Sequence, residues 1–131
     1  MQKLPKPNII YEDNHLLVVE KPSNIPVQED SSKDIDMLTL LKDYRKINEN
    51  KPGEAFIGLV HRLDRPVSGI MVFAKTSKAA SRLSDQIRQN TFRKTYLAVV
   101  EGTLPHKGKL EDYLIKNEKE NKSYVTTKEK G

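Results

Sequence analysis

The sequence predicts an α+β domain: a mixed, largely antiparallel sheet with two helices packed on it. Three observations carry this. Short apolar runs rich in β-branched residues come in pairs, Ile9–Tyr11 with Leu16–Val19 and Phe56–Val60 with Ile70–Ala74. Two intervening stretches, Ile35–Asn48 and Lys78–Gln89, repeat apolar residues every three or four positions, the spacing of an amphipathic helix. At 131 residues the chain makes one domain, 1–131, long enough to bury one core.

Met1–Asn8, with two prolines and two lysines, reads as an extended lead-in. The runs Ile9–Tyr11 and Leu16–Val19 flank Glu12-Asp13-Asn14-His15 and predict a β-hairpin, with His15 an ordinary turn residue. Two prolines exclude a helix from Lys21–Gln28, and Glu29–Lys33 is a polar loop. In the first helix Met37, Leu38, Leu41, Tyr44 and Ile47 form the inward stripe, while Lys42, Arg45 and Lys46 read as a solvated outer face. Asp34 or Asp36 caps its start, and Lys51-Pro52-Gly53 ends it. Ser77 stands where the second helix needs an N-cap, ahead of a stripe of Ala79, Ala80, Leu83 and Ile87. Arg93–Gly102 reads as a basic lead into a buried strand, and Leu110–Lys116 with Ser123–Thr127 as a second hairpin.

The central string is His61-Arg62-Leu63-Asp64-Arg65-Pro66-Val67-Ser68-Gly69, a loop between two strands. It sets one carboxylate, Asp64, between two guanidinium groups on a segment anchored at both ends. A cation beside a carboxylate keeps it ionised and oriented, which suits a nucleophile or a charge-stabilising group. From charges alone, a solvated ion-pair cluster is the ordinary alternative.

Composition adds bounds. Without cysteine there is neither a disulfide framework nor a thiolate metal site, and a reducing cytoplasm is the expected setting. No apolar run approaches a membrane span, and the N-terminus lacks a signal peptide's apolar core. A net charge of +5 suits an anionic partner such as nucleic acid.

The string H-R-L-D-R-x-x-S-G resembles the catalytic motif of the RluA-type pseudouridine synthases, departing from it at Pro66 and Val67. Two further stretches resemble that family's motifs: I-I-Y-E-D-N-H-L-L-V-V-E-K-P-S-N-I-P-V, with Asn24 where Gly is frequent, and K-T-Y-L-A-V-V-E-G. The resemblance implies an RNA pseudouridine synthase acting on ribosomal or transfer RNA, with no cofactor or metal. By the same resemblance Asp64 is the carboxylate that acts near C1′ and C6 of the uridine, by covalent addition or by assisting departure of the uracil. Arg62 fills the space a flipped nucleotide vacates, and Tyr96 stacks on the uracil and shuttles the C5 proton. Arg65, Arg93, Lys94 and Lys75 are candidate phosphate contacts by position only. The resemblance places the chain in the first part of the family's catalytic domain, without the small S4-type RNA-binding domain of many relatives. A catalytically incomplete RNA-binding fragment is therefore the alternative, and uncovered sheet edges would favour self-association. Glycoside hydrolysis by paired carboxylates finds no second suitable carboxylate near Asp64 in sequence.

Overall fold

The computed structural model describes residues 5–50, 53 and 55–129, and the chain divides into two compact units, Met1–Lys94 and Thr95–Gly131. The first unit is built in the order β1 (Asn8–Glu12), β2 (Leu16–Lys21), α1 (Met37–Asn48), β3 (Gly58–Leu59), β4 (Gly69–Ala74) and α2 (Ser77–Arg88). Its four strands form one sheet in the order β1-β2-β4-β3, with every ladder antiparallel.

Alternation along the two central strands creates two cores. Leu17 and Val19 of β2 stand opposite Phe73 and Met71 of β4, all fully buried. They pack with Met37, Leu40 and Leu41 of α1 and with Val27 and Ile57. On the opposite parity Ala74 meets Ala79 and Leu83 of α2, with Leu16, Val60, Val72 and Phe92 around them. Gly58 makes this second layer close: a Cβ there would lie 3.0 Å from the Ala80 Cβ and 3.2 Å from the Ala74 Cβ.

Both helices begin on a side-chain cap. Asp36 is the cap of α1, accepting the Thr39 N–H at 3.1 Å. The cap of α2 is Thr76 rather than Ser77, since the Thr76 Oγ1 accepts the Ala79 N–H at 3.1 Å and Ser77 is the first helical residue. At its other end α1 closes at Asn48; of the expected terminator, Lys51 and Pro52 lie outside the described residues.

Two readings of α1 are corrected. Ile47 is exposed, whereas Arg45 is buried and not on a solvated face. Residue 45 lies one turn on from Leu41 along the inward stripe, and its guanidinium has partners there. Arg45 donates to the carbonyl of Phe56 at 2.6 Å, to the carbonyl of Lys75 and to the Glu49 carboxylate at 2.6 Å.

In the second unit β5 (Tyr113–Asn117) and β6 (Lys122–Thr126) form the expected hairpin. The Asn117 side chain accepts the Lys119 and Glu120 N–H groups at the turn, and Asn121 takes the left-handed conformation, φ 52°. The buried strand expected in Arg93–Gly102 is not formed. Residues 95–112 carry no regular element, and Leu97 and Val99 are fully exposed. A strand is stable only where a neighbour takes its N–H and C=O groups, and among the described residues none pairs with this segment.

Candidate active site

The His61–Ser68 loop leaves the sheet after β3 and returns to it at β4. Its middle is a tight turn in which the Val67 N–H donates to the Asp64 carbonyl at 2.9 Å. Leu63 packs on the first core and pins the near side of that turn. Arg62 and Asp64 on either side of Leu63 are exposed.

The segment after β2 grips the turn from below. The Arg65 carbonyl accepts the Asn24 N–H at 2.8 Å and the Lys21 Nζ at 3.0 Å, and the Ser23 hydroxyl donates to the Pro66 carbonyl at 2.7 Å. Asn24 reaches Arg65 in the left-handed conformation, φ 69°, the reason a glycine suits this position. Lys21 is fully buried and donates also to the carbonyls of Pro22, at 3.0 Å, and Ile25, at 2.8 Å. One ammonium thus joins the end of β2, the Pro22–Ile25 loop and the Asp64 turn.

The electrostatics differ from the expectation of two guanidinium groups on Asp64. Arg65 turns away, 3.2 Å from Asp30 and in contact with Asp34, and hydrogen bonds Ser32 at 3.0 Å. Among the described residues nothing ion-pairs with or hydrogen bonds the Asp64 carboxylate. The buried cation whose field reaches it is Lys21. Burial pushes the Lys21 ammonium below its ordinary range, the Arg65 charge adds to that, and the Asp64 charge opposes both. The Asp30 and Asp34 carboxyls are held low. For Asp30 the Ser32 hydroxyl bond is the leading cause, and for Asp34 the Arg65 bond.

Of the candidate phosphate contacts, Lys75 is corrected. It is 6% exposed, and its ammonium lies 2.8 Å from Glu12, 3.5 Å from Glu49 and 3.0 Å from the Asp13 carbonyl. Burial drew this lysine into a structural cluster because β4 ends with its side chain facing α1 and β1. Arg93 and Lys94 are exposed at the end of the first unit. Tyr96 belongs to the second unit, in its irregular segment, and is exposed. Arg62, Asp64 and Arg65 therefore share one clamped loop.

Sequence reasoning missed Lys21 and Ser23 as parts of this site. The signal for Lys21 was present: Leu17, Val19 and Lys21 share the inward parity of β2, so a cation directly before Pro22 had to be buried. Among the described residues no group of acidic, histidine or cysteine side chains could hold a metal ion.

The chain matches the family model described as RNA pseudouridylate synthase over residues 15–131. It is 40% identical over 116 residues, 88% of this chain and 35% of the relative, to the ribosomal large subunit pseudouridine synthase C of Buchnera aphidicola subsp. Schizaphis graminum. The protein of that name from Escherichia coli is 39% identical over 94 residues, 72% of this chain and 28% of its own length. The chain spans about a third of the length of the relatives it matches. Among solved structures it resembles human RNA Pseudouridylate Synthase Domain Containing 4, with TM-score 0.55 and 26% identity, covering 64% of this chain and 30% of that one.

Proposed function

The chain belongs to the RNA pseudouridylate synthase family, and from that premise we propose that it isomerises uridine in large-subunit ribosomal RNA through Asp64. The observation that carries the reading is the clamped turn: an exposed carboxylate on a loop whose backbone is held by Lys21, Ser23 and Asn24. Preorganisation of this kind is what a carboxylate acting at C1′ or C6 of a flipped nucleotide requires. Asp64 acts there by adding to the base or ribose, or by assisting departure of the uracil; the uracil then rotates and rejoins through C5. Arg62, exposed beside it, is the planar cation for the space the nucleotide vacates. Tyr96 is the aromatic partner that stacks on the uracil and carries the C5 proton. Arg93 and Lys94 engage phosphates, and Arg65 does so only by exchanging its aspartate partners for them. The chemistry is an isomerisation with no net redox change, and the reading calls on no metal or cofactor. The relatives' names favour ribosomal over transfer RNA, and a cytoplasmic setting goes with that substrate.

A second reading rests on coverage: at about a third of its relatives' length, the chain alone binds RNA without isomerising it. Exposed Leu97, Val99 and Leu110 in the second unit favour self-association in that case. Pseudouridine mapping by primer extension after carbodiimide treatment, on large-subunit ribosomal and transfer RNA transcripts, separates the readings. Asp64-dependent stops in the ribosomal transcript support the first. Salt-sensitive binding with no stops supports the second.

A further inference from the structure

His61 opens the active loop, yet no step above uses it. The last register pair between β3 and β4 is Leu59 with Phe73, so the ladder gives Val72 no β3 partner. The Val72 N–H donates instead to the His61 Nε2 at 3.1 Å. An imidazole nitrogen that accepts a hydrogen bond carries a lone pair, so the ring proton sits on Nδ1. That Nδ1 is buried and has no partner among the described residues. The ring also lies against Phe92, centroids 5.5 Å apart and planes tilted by 52°.

We propose that His61 is a positioning residue: its Nε2 supplies the last rung of the β3–β4 ladder, and this tie fixes where the loop bearing Arg62 and Asp64 leaves the sheet. An apolar ring would fill the space beside Phe92 and avoid the unpartnered Nδ1, but it would leave the Val72 N–H without an acceptor, so that acceptor is what the imidazole contributes. The neutral form is required, because an imidazolium would point an Nε2–H at the Val72 N–H. Burial pushes the His61 ring below its ordinary range and the Lys94 charge adds to this, in keeping with a neutral acceptor. The tie acts at the opposite end of the loop from the Lys21 clamp, so between them they hold both sides of Asp64.

The proposal rests on the synthase reading for the reaction affected, but two of its three tests do not. Nitrogen-15 spectra of the imidazole should show the Nδ1-protonated tautomer. Amide exchange at Val72 should quicken about tenfold in His61→Phe, and stay near wild type in His61→Gln, whose amide oxygen can accept in place of Nε2. Single-turnover tritium release from ribosomal RNA labelled at uridine C5 should slow about tenfold in His61→Phe with RNA affinity unchanged, and recover in His61→Gln. An Nε2-protonated ring, or Val72 equally protected in His61→Phe, overturns the proposal. So does a His61→Phe variant that folds, binds RNA and turns over at the wild-type rate. If wild type itself releases no tritium, the proposed function fails for this chain, and the tautomer and exchange results still decide the positioning claim.

Discussion

Replacing Lys21 by Met tests the clamp beneath the active turn. Methionine keeps the unbranched stem and removes the ammonium, which hydrogen bonds three carbonyls at 2.8–3.0 Å. The Arg65 carbonyl retains the Asn24 N–H, so the loss falls mainly on the carbonyls of Pro22 and Ile25. A fully buried acceptor left without a partner costs about 1–3 kcal/mol; these two are only partly buried and water recovers part of that, so the gross loss is about 1–4 kcal/mol. Removing a buried charge returns part of this, leaving a net destabilisation of about 1–3 kcal/mol. With a urea m-value of about 2 kcal/mol/M, the unfolding midpoint should fall by about 0.5–1.5 M. The turn also loses one of its three backbone anchors, so Asp64-dependent turnover should fall more than RNA affinity does. A Lys21→Met midpoint within about 0.2 M of wild type would contradict this, because the carbonyls of Pro22 and Ile25 would then have lost their ammonium at no cost.

Arg45→Met should destabilise the first unit by about 2–4 kcal/mol in urea unfolding, since it strips the Phe56 and Lys75 carbonyls of a buried donor and leaves Glu49 to Lys75 alone. Burial would push the Glu12 carboxyl up, but hydrogen bonds from Lys75 and Tyr44 hold it below its ordinary 4.5; for Glu49, Arg45 and Lys75 do the same against burial. Folded values below unfolded ones mean that this stability is complete above the ordinary value and is lost as pH falls through the folded values. Thermal melts between about pH 6 and pH 3 should therefore drop, and drop less steeply in Glu12→Gln. Asn24→Gly should be tolerated, whereas Asn24→Val should cost about 1–2 kcal/mol for its left-handed backbone, read by chemical denaturation.

Period-two and period-three-to-four patterning made the first unit legible, because each strand pair and each helix in it buries a matching apolar face. The loop at His61–Gly69 was legible as well, from Pro66, Gly69 and the apolar flanks. Charge was the misleading signal. Cations usually face solvent or phosphate, yet Lys75 is taken up by Glu12 and Glu49 from distant parts of the chain, and Arg45 by the Phe56 and Lys75 carbonyls besides its helical neighbour Glu49. Sequence adjacency sets Arg65 beside Asp64, and tertiary structure gives it Asp30 and Asp34 instead. Local sequence spacing carries no information on such long-range pairings. The strand expected at Arg93–Gly102 failed for a related reason: strand propensity is realised only beside a partner, and the described residues provide none.

In the proposed function Asp64, held on its clamped turn, performs the chemical step. The most direct measurement is tritium release from ribosomal RNA labelled at uridine C5, comparing this chain with Asp64→Asn, a change that keeps the side chain's shape and removes its charge. The wild-type chain should release tritium and the variant none above background, with RNA affinity the same in both. Equal release from the two proteins would contradict that role for Asp64.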